Sequence, residues 1–212
     1  MKNLDILYED NSVIIVNKPT GLAVQGGKGI KNSLDKILAV IRQPAPLLVH
    51  RLDKDTSGVL LAAKTKQDAA RFSRYLGTER KTIKQYIAVC AGSPKEKEGE
   101  ISAELEIRGT MKISKTKYKV FKSNAKYSVL EIELGTGRMH QIRRHLAMIG
   151  CPVLGDDKYG DFALNKELRK AGVKHLLLHA YRLVIKEANI DITAPIPAYW
   201  NNHEFLQLLP FT

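Results

Sequence analysis

Three segments, Ile101 to Ile107, Lys117 to Lys122 and Tyr127 to Leu134, alternate apolar and polar residues with the period of two that a half-buried strand requires. Following each other across short connections, they point to antiparallel pairing rather than a repeated parallel unit. The class this implies is α+β, with a large, mostly antiparallel sheet and flanking helices.

The rest of the chain fits that frame. Leu4 to Asn17 reads as two short strands around Glu9-Asp10-Asn11, whose side chains suit a hairpin turn. Ser33 is placed to cap a helix running to about Ile41, with Leu34, Ile37, Leu38 and Ile41 as its apolar stripe. A strand through Leu47 to Val49 precedes a polar segment, and Val59 to Ala63 is apolar enough for a buried strand. Residues 66 to 77 look helical, and Thr82 to Cys90 reads as a strand. A further helix follows Gly135-Thr136-Gly137 and ends near Ile149, where Gly150 and Pro152 stop it. Leu176 to Ile185 and Ile190 to Thr193 add strands, and His203 to Leu209 reads as a terminal helix. With no repeat and no linker-like stretch, residues 1–212 are expected to form a single domain of two fused lobes.

Charge narrows the partners. The chain carries 34 Lys and Arg against 22 Asp and Glu, a formal charge of +12, which favours a polyanion through phosphate neutralisation, although a merely basic soluble protein has the same balance. The two cysteines, Cys90 and Cys151, lack the paired spacing of a zinc site and fit a reducing cytoplasm. No apolar run approaches the roughly 18 residues of a membrane span, and the N-terminus, with acids among its first residues, does not read as a signal peptide.

Chemistry concentrates in two segments. His50-Arg51-Leu52-Asp53-Lys54-Asp55-Thr56-Ser57-Gly58 is polar and held between two strands. Asp55 to Gly58 suit a turn, with Gly58 in an unusual backbone angle, but a carboxylate at Asp53, beside an apolar strand, needs a cation to stay ionised. Asp53 and Asp55 alone do not define a metal pair, and no metal site is expected. The second segment, Thr136 to Leu146, supplies the cation. Helical spacing puts Met139, Ile142, Leu146 and Ile149 on a core stripe, Arg144 opposite it, Arg143 on one edge and Arg138 with His145 on the other. Arg143 is therefore the arginine able to be partly buried and bidentate to a carboxylate, and it is paired with Asp53. His140 and His145, five apart, do not form the one-turn pair that binds zinc. His175 and His179 flank three leucines and read as structural. Tyr86 shares a strand face with Lys84 and Ala88, where its ring either packs in the core or stacks on a flipped base.

Asn17-Lys18-Pro19-Thr20-Gly21, the His50 to Gly58 segment, Lys84-Gln85-Tyr86-Ile87-Ala88-Val89, Thr136-Gly137-Arg138-Met139-His140-Gln141-Ile142-Arg143 and Leu178-His179-Ala180 together resemble the motifs of the RluA family of RNA pseudouridine synthases, in that family's order. Gly155-Asp156-Asp157-Lys158-Tyr159-Gly160-Asp161 is most similar to its RluC-type branch, which modifies large-subunit ribosomal RNA. The resemblance implies the pseudouridine synthase fold with a central active-site cleft, and cleavage of the uridine N1–C1′ bond, rotation of the uracil and rejoining through C5, with no cofactor. It further implies Asp53 as the essential aspartate, Arg143 as its ion-pair partner, Tyr86 beside the target base and Arg51 as the arginine that displaces it. Lys54, Arg138, His140 and Arg144 are then expected to hold RNA. Many members of that branch carry an S4 RNA-binding domain ahead of the catalytic one, and none is expected here.

The expected substrate is 23S large-subunit ribosomal RNA, with transfer RNA as the alternative for the same chemistry. A non-catalytic RNA-binding or ribosome-assembly module would also use the charge, but it gives no reason for a carboxylate paired with a partly buried arginine. The expected state is a cytoplasmic monomer with no membrane association.

Overall fold

The computed structural model describes residues 4–78, 82–107 and 109–200. They divide into two compact units, Met1–Lys84 with Ala180–Pro195 and Gln85–His179 with Ile196–Thr212.

In the first unit, β1 (Asp5–Glu9) and β2 (Val13–Lys18) form the expected hairpin. Asp10 makes its turn, one carboxylate oxygen accepting from the N–H groups of Ser12 at 2.7 Å and Val13 at 2.8 Å. The Val-Ile-Ile-Val run of β2 is buried throughout because β1 pairs on one side and β4 (Ser57–Ala63) on the other. The short β3 (Leu47–Leu48) also pairs antiparallel with β4. Helix α1 (Leu34–Ile41) buries Leu34 and Leu38, as its stripe requires. Ser33 occupies its cap position without a side-chain capping bond, its hydroxyl donating instead to Asp35. Helix α2 (Lys66–Leu76) begins at Thr65, whose side chain accepts from Asp68 N, and lays Phe72 and Leu76 against Val13, Ile15, Val59 and Leu61. Strands β9 (Leu178–Ile185) and β10 (Ile190–Thr193) pair as a hairpin and complete this core with Leu183, Ile185 and Ile190.

In the second unit, β5 (Thr82–Ala91), β6 (Glu98–Ile107), β7 (Thr110–Ser123) and β8 (Tyr127–Leu134) pair antiparallel in the order β5-β8-β7-β6. Antiparallel pairing in both units gives the α+β class expected from the alternating segments. Two boundaries and one helix differ most from expectation. Strand β7 starts at Thr110 rather than Lys117, because its inward positions there are the polar Ser114 and Thr116, both fully buried. Helix α3 (Gln141–Met148) starts four residues after Gly137, since His140 takes a left-handed conformation with φ 53°, and Met139 is half exposed rather than on the core stripe. Helix α4 (Phe162–Lys170), capped by Asp161, was not foreseen: its buried residues include the polar Asn165, which breaks the apolar stripe. The expected terminal helix from His203 lies outside the described residues. No helix among the described residues is long and apolar enough to cross a membrane.

Candidate active site

In the first unit the segment 50–58 is fastened at several points. The N–H of Leu61 in β4 donates to Nε2 of His50 at 2.9 Å. That bond needs a lone pair on Nε2, so His50 is neutral with its proton on Nδ1, and burial, helped by the Lys84 charge, pushes its pKa down to about 3. Leu52 is buried while Arg51 and Lys54 are exposed and Asp53 lies partly buried, as a turn that drops one apolar side chain inward would leave them. The N–H of Thr56 donates to the Asp53 carbonyl at 3.2 Å, closing the turn, and the Thr20 hydroxyl donates to the Asp55 carbonyl at 2.8 Å.

Beneath the turn lies Lys18, a residue quoted in the motif analysis but given no role there. Its side chain is fully buried, and its ammonium donates to the carbonyls of Pro19 at 3.0 Å, Leu22 at 2.8 Å and Lys54 at 2.9 Å. Burial lowers its pKa to about 7, while the charges of Asp55 and Asp53 act to raise it. Three carbonyl acceptors match the three N–H bonds of the ammonium form. The sequence signal that could have revealed it is a lysine directly between a buried strand and a proline, where its side chain has no solvated path along the strand.

Gly58 ends the segment at φ +110°, a conformation open to glycine, and a Cβ there would lie 2.1 Å from the carbonyl oxygen of Ala180. The unusual angle expected at this position is thus present, and close backbone approach adds a second reason for glycine.

In the second unit Tyr86 sits in β5 opposite Ile132 of β8 and is 9% exposed. Arg143, on the first turns of α3, is bidentate to a carboxylate and 5% exposed, deeper than the partly buried place expected on the helix edge. The carboxylate that its own unit supplies is Asp156: Nε donates to Oδ2 and Nη2 to Oδ1, both at 2.7 Å. The exposed Asp157 lies 3.6 Å from Nη2. Burial alone would raise the Asp156 carboxyl, but the Arg143 guanidinium and the N–H groups of Tyr159 and Lys158 outweigh it and hold the pKa below the ordinary value. The Tyr159 ring faces the Arg143 guanidinium, 5.3 Å from Cζ to centroid, and its hydroxyl lies 3.1 Å from Nδ1 of His140.

Gln141 organises the approach to α3. Its Oε1 accepts from the Thr136 hydroxyl at 2.7 Å and the Arg138 N–H at 3.1 Å, and its amide donates to the Lys115 carbonyl and the Thr116 hydroxyl. Arg138 is left exposed, and Arg144 is partly buried with Nη1 3.4 Å from the Glu106 carbonyl. His145, placed by helical spacing on an edge with Arg138, is instead fully buried, with Nδ1 3.0 Å from the Thr116 hydroxyl. His179 is also fully buried, its ring edge-on to Trp200 at 6.1 Å, in keeping with a structural role. Both cysteines are buried and unbridged.

Of the residues named from sequence, Arg51, Asp53 and Lys54 belong to the first unit and Tyr86, Arg138, His140, Arg143 and Arg144 to the second. The structure joins Arg143 and His140 through Tyr159. Lys18, Gln141, Asp156 and Tyr159 are the contributors that spacing does not reveal; all four lie within the family-like motifs, as polar residues to which a motif match alone gives no contact.

The profile described as RNA pseudouridylate synthase matches residues 12–148, a span that includes the segments holding Lys18, Asp53, Tyr86 and Arg143. Among curated proteins, the ribosomal large subunit pseudouridine synthase C of Rickettsia felis is 36% identical over 93% of this chain and 69% of its own length. The protein of the same name from Vibrio cholerae is 33% identical over 92% of this chain and 66% of its own length. Among solved structures, human RNA pseudouridylate synthase domain containing 4 superposes with a TM-score of 0.81 over 96% of this chain and 92% of its own, at 24% identity, a likeness of fold. Human RNA pseudouridylate synthase domain containing 1 gives 0.75 over 92% and 84%, at 26% identity. On the profile match and on relatives this similar along nearly its whole length, the chain belongs to the family of RNA pseudouridine synthases.

Proposed function

We propose that this enzyme isomerises uridines of large-subunit ribosomal RNA to pseudouridine with Asp53 as its catalytic carboxylate. The observation that carries the reading is the anchoring of the Asp53 turn: its backbone is tied by Thr56, by Lys18 through the Lys54 carbonyl, and by Thr20 through the Asp55 carbonyl. Breaking the N1–C1′ bond calls for a carboxylate that is ionised and held in place, to act as nucleophile or base, in a site that keeps water from the cleaved intermediate. A turn fastened from three sides over a buried lysine supplies the fixed placement.

Arg143 is the ion-pair partner in this proposal. A guanidinium is the partner suited to this role, because its planar fork matches both oxygens of a carboxylate. Tyr86 stands by the target base and Arg51 takes the place the flipped uridine leaves, since a stacked base cannot react. Lys54, Arg138, His140 and Arg144 hold the RNA, the cationic ones through phosphates, which give affinity without sequence choice. The names of the relatives support ribosomal RNA as the substrate. The reaction as written needs no cofactor.

The test is chemical mapping of pseudouridine in RNA from cells carrying the wild-type chain, a deletion, or Asp53→Asn. Sites in large-subunit RNA that vanish in both altered strains are the expected result. A ribosomal map unchanged in both, with losses in transfer RNA, overturns the substrate; a map unchanged by Asp53→Asn but changed by deletion overturns the role of Asp53.

A further inference from the structure

A buried arginine has a long side chain and several ways to aim its charge, so something must select one. In the second unit that selection is built in layers around Asp156. Both oxygens of its carboxylate are taken by the Nε–Nη2 edge of Arg143, a fork-to-fork geometry that leaves the guanidinium plane no free rotation. The carboxylate is itself fixed, since Oδ1 also accepts from the N–H groups of Lys158 at 2.9 Å and Tyr159 at 3.0 Å. The backbone beneath it is held by Asn165, whose amide donates to the Asp156 carbonyl at 2.8 Å and whose Oδ1 accepts from the Gly155 N–H at 2.9 Å. The Tyr159 ring covers one side of the guanidinium. Asp156 is 1% exposed, so this is an interior arrangement and no surface ion pair.

We infer that Asp156 is a positioning residue for the isomerisation, fixing the direction in which Arg143 aims its charge. The inference rests on the Arg143–Asp53 pairing proposed above. Its chemical consequence is that the reaction rate depends on a carboxylate that never meets the substrate. The other ionisable groups facing the pair are Asp157, Lys158, Tyr159 and, through the tyrosine hydroxyl, His140.

The experiment measures the single-turnover rate of pseudouridine formation against pH, on the RNA that the wild-type chain modifies, for Asp156→Asn, Asp156→Glu, Asp157→Asn and Arg143→Gln, with RNA affinity and thermal unfolding recorded in parallel. Asp156→Asn keeps the shape and removes the charge; Asp156→Glu keeps the charge and displaces it by one methylene. Each is expected to lower the single-turnover rate about tenfold or more with RNA affinity changed less than about twofold, because the guanidinium is no longer held in one orientation. Asp157→Asn, at an exposed carboxylate 3.6 Å from Nη2, is expected to lower the rate less than either Asp156 variant. A purely structural role for Asp156 lowers the folded fraction without slowing the folded enzyme, and that result, or a wild-type profile in folded Asp156→Asn, overturns the inference. Should the asparagine variant not fold, a wild-type profile for Asp156→Glu overturns it equally. Arg143→Gln separates the two readings. An unslowed single turnover there removes the Asp53 pairing and this inference with it, whereas turnover slowed by Arg143→Gln and by neither Asp156 variant removes only the inference.

Discussion

Gly58→Ala tests how tightly the end of the Asp53 segment is built into the fold. Gly58 has φ +110°, and an added Cβ would lie 2.1 Å from the Ala180 carbonyl oxygen, 2.7 Å from its carbon and 2.8 Å from the Ala180 nitrogen. All three are backbone atoms, so no side chain can swing aside, and reaching an ordinary separation of about 3.5 Å means moving one strand by about 1 Å or more. Two costs therefore combine: about 1–3 kcal/mol for holding alanine in a glycine conformation and about 1–3 kcal/mol for overpacking. A loss near 4 kcal/mol is expected, a large share of the roughly 5–15 kcal/mol that stabilises a domain. Gly29→Ala is the control, because Gly29 has φ +81° with no atom within 4 Å of the added Cβ, so it carries the conformational cost alone. Urea unfolding of both variants, followed by far-ultraviolet circular dichroism, gives the two losses, and equal slopes show that the same transition is compared. Equal destabilisation by the two substitutions, or a loss below about 1 kcal/mol for Gly58→Ala, would refute the close-approach argument.

His50 makes the fold acid-labile through a single proton. Its folded pKa, about 3, lies below the ordinary histidine value of 6.5, so between those limits the unfolded chain binds the extra proton and stability falls as pH falls through that window. Relative to His50→Gln, whose carbonyl can accept from Leu61 without titrating, wild type is expected to lose about 2 kcal/mol between pH 7 and pH 5; parallel stability curves for the two proteins would contradict this. Lys18→Met leaves the Pro19, Leu22 and Lys54 carbonyls without their buried donor, which at about 1–3 kcal/mol each, partly offset by removing a buried charge, predicts a net loss of about 2–4 kcal/mol. The same variant should slow single-turnover catalysis by releasing the Lys54 tether, and unfolding and turnover both matching wild type would show that the three bonds do not matter.

The elements legible in the sequence are those whose burial is apolar. The β1–β2 hairpin announces itself through Asp10, α1 through Leu34 and Leu38, and β4 through an unbroken apolar run. What escaped reading is buried through polar contacts, which leave no periodic trace. The first half of β7 turns Ser114 and Thr116 inward, and the partners that make Thr116 acceptable there, Gln141 and His145, lie about 25 residues away on α3. Helix α4 is anchored by Asn165, whose amide is occupied by the Gly155–Asp156 backbone. The candidate site divides in the same way. The edge position of Arg143 foretold a partly buried, bidentate arginine, because helix geometry is local. That Asp156 would take one edge of it depends on a loop turning back thirteen residues later, which no spacing rule encodes.

The two buried cations explain why such polar burial is worth its cost in this fold. An exposed lysine or arginine reaches a carboxylate only by giving up side-chain freedom and water each time substrate binds. Lys18 and Arg143 have given up both during folding. The first is saturated by three carbonyls and the second is locked by a carboxylate that the backbone itself holds. Charge fixed in this way needs no rearrangement when the reaction develops charge of its own, which is the condition under which electrostatic stabilisation favours a transition state most. Arg51, Lys54 and Arg138 are exposed and carry no such network among the bonds described, which leaves their side chains solvated. The roles proposed for the two kinds of cation can be measured: substitutions at Lys18 and Asp156 should act on the rate of the bound complex, and substitutions at Lys54 and Arg138 on the salt dependence of RNA affinity.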